Sequence, residues 1–426
     1  MKFRWFVASL ILLVICQMQI MGQDNPIERL PPIAAYQTDG GLYVFNVTED
    51  PILILRNDVN SLILDVGTTP IWSTNGELLA YQEIGNETVL YLISIDDLSI
   101  QQRVSDLDYD SILNFTIDNE NLLYSTFGEW YDASNPPNVD YGVWRQRKLL
   151  IEEFSIPSMT RREILTHSLP TVHEASFDGG GNLGLLCPSY GMSIIESRST
   201  FLTPLILADT PYGILTYFDN PDPQSSSRLA IGPTTLVVPA MTSAFLSTNY
   251  EQIVFKIGYE FQIGMVNLST QQTELFELSH IPEALISDGE RYFYYSVRIE
   301  GDEPLIPDAY WENDQFWYLA CNEYINQVAI YRFDIETQEE TRLYISDNFS
   351  IPWMTLSPNG QELYFTTIPN GQIWRDAMLD NDCALQECIE YLFPNLSRLN
   401  LESLQSEVLL ENVLKPVINF GYQTQN

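Results

Sequence analysis

Basic charge is the scarcest resource in this chain. Lys and Arg together number 20 against 57 Asp and Glu, which leaves a formal net charge of −37 over 426 residues. Nucleic-acid binding rests on cationic side chains neutralising phosphates, so this balance sets nucleic acid aside as a partner and disfavours anionic lipid as well. Histidine is nearly as rare, with His167, His173 and His280 the whole supply. Cysteine is limited to five, too few for a disulfide scaffold, and with so few histidines it makes no zinc-binding pattern. Long apolar runs are missing too, with a single exception at the very start.

That exception begins with Lys2 and Arg4, runs through Trp5 to Ile15, and passes into the polar residues Gln23, Asp24 and Asn25 before Pro26. A basic start, a short apolar centre and a polar exit make the layout of a secretory signal peptide. The apolar part is shorter than the roughly 20 residues a spanning helix requires. The expectation is a signal peptide over 1–22 and a mature domain over 23–426, located outside the cell or in a periplasm, with no membrane span after cleavage. Losing Lys2 and Arg4 with the leader removes two positive charges and takes the net charge from −37 to −39. In an oxidising compartment Cys383 and Cys388 are close enough in sequence to close a small disulfide loop.

Two short pieces recur along the rest of the chain. The first is a large apolar or aromatic residue, a cluster of turn formers, and then a burst of strand formers. It reads Trp72-Ser73-Thr74-Asn75-Gly76 before Leu78 to Tyr81, and Leu356-Ser357-Pro358-Asn359-Gly360 before Leu363 to Phe365. Weaker copies begin at Phe115, Phe177, Leu246 and Leu285. Asn-Gly or Asp-Gly between strand formers signals a tight hairpin, because a type I′ turn needs positive φ at both central residues. The second piece sets one polar residue between two apolar ones: Phe45-Asn46-Val47, Ile93-Ser94-Ile95, Phe154-Ser155-Ile156, Val266-Asn267-Leu268, Phe333-Asp334-Ile335 and Leu399-Asn400-Leu401. Around it apolar and polar residues alternate with period two, as half-buried strands do.

One hairpin from each piece gives four antiparallel strands per unit. The closely spaced anchors lie roughly 40 residues apart, the length of a four-stranded blade. Wider intervals contain insertions at 128–143, 191–239 and 300–315, and the middle one carries apolar runs that suit a further blade. A strand at Ile33 to Gln37 precedes the first complete unit, and a spare one at Val417 to Tyr422 follows the last. Pairing these two would shut the ring and remove two exposed sheet edges. The expected fold is therefore all-β: a single β-propeller of about seven four-stranded blades, with six or eight left open by the spacing.

The turn-bearing windows at 72–82 and 356–367 resemble the repeat of TolB-like propellers, a bacterial branch akin to WD-repeat propellers. Only Pro358 keeps the proline of that repeat and only Asp288 its Asp-Gly. The Gly-His and Trp-Asp pairs of eukaryotic WD repeats are absent. The resemblance implies the fold and no particular activity.

Residues that bear chemistry are sparse and scattered. No Gly-x-Ser-x-Gly nucleophile elbow is present, since Gly191-Met192-Ser193 runs on into Ile194 and Ile195. Asp106, Asp108 and Asp110 alternate and so fall on one strand face, which keeps calcium as a candidate ion, but the glycine and the closing acid of a calcium loop are missing. Gly179 to Gly181 has no helix pattern after it and reads as hairpin chemistry. The insertions are richer. Trp130, Tyr131 and Trp144 in one, and Tyr310, Trp311 and Trp317 in another, combine rings with carboxylates, a mixture suited to recognising a protein, peptide or glycan. The leading expectation is a non-enzymatic exported binding module. The alternatives are an extracellular hydrolase or lyase with carboxylates at the central channel, and a structural component of a cell envelope.

Overall fold

The computed structural model describes residues 30–37, 41–46, 50–55, 69–83, 88–96, 100–107, 113–127, 131–132, 144–146, 148–168, 172–173, 204–218, 227–239, 241–257, 261–299, 327–348, 350–368 and 394–421. They form seven antiparallel four-stranded blades arranged as a β-propeller. Written from the axis outward, blade 1 is Val413–Ile418, Ile33–Gln37, Leu42–Phe45 and Ile52–Leu55. Blade 2 is Ile71–Trp72, Leu78–Glu83, Thr88–Ser94 and Ile100–Leu107, and blade 3 is Leu113–Phe115, Asn121–Phe127, Lys148–Ser155 and Thr160–Ser168. Blade 4 comprises Pro204–Thr210, Gly213–Phe218, Ser227–Ile231 and Thr234–Val238. It falls inside the 191–239 stretch whose apolar runs suited a blade. Blade 5 is Met241–Leu246, Gln252–Ile257, Gln262–Asn267 and Thr273–Glu277. Blade 6 is Leu285–Ser287, Tyr292–Ile299, Gln327–Asp334 and Glu340–Ser346, and blade 7 is Ser350–Leu356, Glu362–Ile368, Asn395–Asn400 and Ser406–Leu410. The turn-bearing copy at Phe177 lies outside the described residues.

The ring closes through the two ends of the chain. Val413–Ile418 runs antiparallel to Ile33–Gln37, with Ile33 opposite Ile418 and Ala34 opposite Val417. The closing strand starts and ends four residues earlier than the Val417 to Tyr422 expected from sequence, because its apolar positions begin at Val413. Asn419 then ties the closure to blade 2. Its Nδ2 donates to the Gly76 carbonyl at 2.8 Å, while its backbone N–H bonds Pro32. Trp72 Nε1 donates to the Val417 carbonyl at 3.2 Å from the other side.

The core lies between blades rather than within them. Each apolar cluster joins two neighbours: blades 1 and 2, 2 and 3, 4 and 5, 5 and 6, 6 and 7, and 7 and 1. The repeat explains this, since the aromatic residue that ends its first piece is buried in nearly every blade. Tyr81, Tyr124, Phe255, Tyr295 and Phe365 all stand eight positions after a turn Ser or Thr, and none of them reaches solvent. Fully burying such a ring is worth about 1.5–3 kcal/mol. Outer strands alternate instead, as in Thr273–Glu277, where only Phe276 is buried.

The turns differ from the type I′ expectation in an instructive way. Each first-piece turn has one left-handed residue, at Gly76, Asn119, Tyr250, Gly289 and Gly360 respectively, and Asn75 is not left-handed. The opening Ser or Thr makes the turn. Ser73 Oγ accepts from the Leu78 N–H at 2.9 Å and donates to Asn75 Oδ1, and Thr116, Ser247 and Ser357 repeat both bonds. The second piece also has a structural cause. Its last apolar residue donates a backbone N–H back to the first turn of the same blade: Ile95 to Glu77, Ile156 to Glu120, Leu268 to Glu251, Ile335 to Arg291 and Leu401 to Gln361. Its polar residue caps the second turn, as where Asn267 Oδ1 accepts from the Thr270 N–H and Asn400 Oδ1 from the Ser403 N–H.

Candidate functional site

Antiparallel pairing in simple sequence order sends the first and third strands of a blade one way and the second and fourth the other. Both hairpin turns of blades 2 to 7, and the one hairpin turn of blade 1, whose first two strands come from opposite ends of the chain, therefore lie on one side of the ring, the turn face. The links from second to third strand, and from one blade to the next, lie on the other, the connection face. Contacts between blades confirm that the turns share a side. Thr74 bonds Asn119 and Ile117, Ile117 bonds Asp209, and the Tyr212 hydroxyl donates to Glu251. Gly289 lies so close to Asn249 that a Cβ there would come within 2.0 Å of it. Phe420 packs edge-on against Tyr364, which returns the circuit to the tail.

Every long segment between strands joins on the connection face: 56–70, 128–147, 169–203, 300–326 and 369–394. Two of them contribute to an additional three-stranded sheet of Tyr131–Asp132, Trp144–Gln146 and Val172–His173. Its register sets Tyr131 opposite Gln146 and Trp144 opposite His173. Because directly opposed residues share a face and residues two apart on a strand do too, positions 131, 144, 146 and 173 fall on one side of it. The backbone register thus puts two of the expected recognition positions, Tyr131 and Trp144, on the same side of the small sheet as His173. The Tyr131 side chain is 41% exposed. Trp130, Tyr310, Trp311 and Trp317 lie outside the described residues, as do Cys383 and Cys388.

Elsewhere the connection face has a polar clamp across blades 5, 6 and 7. Glu283, in the link from blade 5 to blade 6, accepts from Arg298 at 2.5 Å, from the Ser350 hydroxyl at 3.0 Å and from the Ile351 N–H at 3.3 Å. Lys256 donates to the Glu283 carbonyl at 2.8 Å. Burial lowers the Lys256 pKa, and the nearby Glu283 charge works against that shift. With its carboxylate fully engaged, Glu283 fastens blades together and leaves no free base.

Ser279, His280 and Glu340 are the only other grouping that looks like hydrolytic chemistry among the described residues. The Ser279 hydroxyl meets His280 Nδ1 at 2.8 Å, but Glu340 bonds Ser279 through both its side chain and its N–H, and no carboxylate orients the imidazole. The ring of His280 stacks on Tyr331, centroids 5.1 Å apart. A nucleophile already held by an acid lacks the relay that acyl transfer needs. Among the described residues no three His, Cys, Asp or Glu side chains converge as a metal site, and Asp108 and Asp110 of the alternating trio are outside them. Trp72 and Trp353 pack at blade interfaces. No helix among these residues is long and apolar enough to cross a membrane.

No protein-family model matches the chain, and no curated protein matches it by sequence. Among solved structures it is similar to the dihydro-heme d1 dehydrogenase NirN in complex with DHE, with 11% identity and a TM-score of 0.46 over 92% of this chain and 76% of that one. It is also similar to a putative 6-phosphogluconolactonase from Bacteroides fragilis, with 10% identity and a TM-score of 0.46 over 93% and 97%. A third similarity is to an acylaminoacyl peptidase from Pyrococcus horikoshii, with 10% identity and a TM-score of 0.48 over 89% and 50%.

Proposed function

We propose that this chain is an exported, non-enzymatic seven-bladed propeller that binds a protein, peptide or glycan through its connection face. The observation that carries the reading is the small sheet that sets Tyr131, Trp144 and His173 on one side, beyond the blades and unnecessary to closing the ring. Rings held on a rigid scaffold present large contact area at low entropic cost. The connections that leave the same face carry Trp130, Tyr310, Trp311 and Trp317 in sequence, and the acidic surface attracts cationic partners, repels anionic ones and leaves neutral ones unhindered. Export is supported by the leader-like start at Lys2 to Ile15 and by the acidic balance.

The test is to screen the full chain against panels of neutral oligosaccharides and of short peptides by isothermal titration, then repeat the strongest hit with variants. Replacing Tyr131 and Trp144 by Ala should weaken that hit at least about tenfold, as loss of a hot-spot ring does. Extending the set to Trp130, Trp311 and Trp317 should abolish it while the unfolding midpoint stays in place. Unchanged affinity in both variants refutes the connection face as the site.

A further inference from the structure

The turn face is interlocked nearly all the way round, but the first turns of blades 6 and 7 stand apart. Between them opens a cleft of about 430 Å³ lined by Asp288, Glu290, Tyr292, Tyr294, Arg332, Asn359 and Glu402, among others. Such a volume is within the range of small-ligand sites, about 300–1,000 Å³.

The cleft's polar groups are left open in both senses. Tyr294 lines the cleft and is only 4% exposed as a residue; its hydroxyl is not sealed in the core, and it has no hydrogen-bond partner among the described residues. Burial, reinforced by the charge of Asp288, pushes its pKa up to about 12, so at neutral pH it remains a phenol with a proton to donate. Arg332 has no carboxylate partner among the described residues and rests over the Tyr292 ring, 4.8 Å from the centroid. Its neighbour Arg291 is by contrast paired to Asp334 at 2.6 Å. On the acceptor side, Asp288 spends Oδ1 on the N–H groups of Glu290, Arg291 and Tyr292. Neither carboxylate of Glu290 and Glu402, nor that of Asp288, has an ion-pair partner among the described residues.

An occupant must therefore supply oxygen acceptors for Tyr294 and Arg332 and positive charge for Asp288, Glu290 and Glu402. Phosphate offers only oxygens and would meet three carboxylates. A simple amine offers only donors and would leave Arg332 unanswered. A peptide with Lys or Arg side chains carries both, its main-chain carbonyls accepting from Tyr294 and Arg332 while its cation sits among the acids. We propose that this cleft between blades 6 and 7 is a binding site for a basic peptide segment, separate from the connection-face site and on the opposite side of the ring.

A strongly acidic protein attracts any cation at low salt, so the test must separate a built site from diffuse attraction. Fluorescence anisotropy of a labelled peptide alternating Lys and Gly, titrated with the full chain at physiological salt, reads the affinity. Tyr294→Phe removes one hydroxyl without altering charge and should weaken binding about 3- to 10-fold, the worth of a hydrogen bond near 1 kcal/mol. Arg332→Gln makes the protein more acidic, so diffuse attraction predicts tighter binding, whereas the cleft predicts binding weakened by several-fold. Glu290→Gln with Glu402→Gln should weaken it further and flatten the salt dependence. Equal or tighter binding by both Tyr294→Phe and Arg332→Gln, with unfolding midpoints unchanged, overturns the proposal. So does a neutral oligosaccharide whose binding falls in the same two variants while the peptide's does not. Because Tyr131 and Trp144 are untouched, failure here leaves the connection-face reading standing.

Discussion

The two faces of the ring obey different rules. On the turn face nearly every hairpin is fixed twice, by its own Ser or Thr and by the neighbouring blade: Thr74 to Asn119, Ile117 to Asp209, Tyr212 to Glu251. Chain length there is held to a few residues per turn, because one more would break the stitch from the second piece back to the first. On the connection face the long segments join strand ends whose pairing is already settled by the blades, and length is tolerated because loop closure entropy grows only slowly with length. The difference divides the labour: the turn face closes the ring everywhere except where the first turns of blades 6 and 7 stand apart, and the connection face is where chain length is free to vary.

The strongest way to break this comparison is to remove the strand that closes the circuit. Ending the chain at 412 strips Val413–Ile418 from blade 1 and leaves Ile33–Gln37 as an open inner edge. Circular dichroism should show the cooperative thermal transition lost altogether. If a sharp transition persists near the original midpoint, the ring does not depend on its closure.

A finer cut removes one contact. Asn419 is fully buried and its amide reaches the Gly76 carbonyl. Asn419→Ala should therefore cost about 1–3 kcal/mol in chemical denaturation, since it orphans a buried acceptor.

Acid gives a smaller effect on the same face. The Arg291 guanidinium beside Asp334 holds that carboxyl below its usual range. A folded-state pKa depressed in this way contributes stability that is present above the unfolded value, about 3.9, and is lost as pH falls through the folded one. Asp334→Asn should lower the midpoint slightly at pH 7 and make the variant's decline between pH 4 and 2 shallower than the parent's.

The smallest change is expected on the opposite side. Replacing 301–326 by a short Gly/Ser linker should move stability by no more than about 1 kcal/mol, and a large loss would mean that the connection face also helps hold the blades.

How much of this was legible in the sequence follows from the same division. The Ser-x-Asn-Gly turns and the apolar-polar-apolar triplets could be read because each residue acts locally, and the closure could be read because two unpaired strands were left over. Blade 4 was hidden because its turns are of another kind. Pro211-Tyr212 and Gly232-Pro233 each make a two-residue turn, and Gly213 and Gly232 approach so closely that a Cβ on Gly213 would lie 2.9 Å from the Gly232 Cα. No Ser-x-Asn-Gly signal survives there, so its apolar runs were the only trace. The aromatic candidates on the connection face were legible as composition, but the pairing that joins Tyr131, Trp144 and His173 was not, because it links segments from two different insertions. The cleft between blades 6 and 7 left no mark, since it arises only where two separately encoded turns fail to meet.

Amide hydrogen exchange over the whole chain tests the central claim in one measurement. The account predicts that the N–H groups of Leu78, Gln252 and Glu362, held by turn serines, exchange only with global unfolding, and that strand 413–418 shares that rate with strand 33–37. Early exchange of 413–418 while 33–37 stays protected would contradict it, because the ring would then be open at the seam on which its two faces depend.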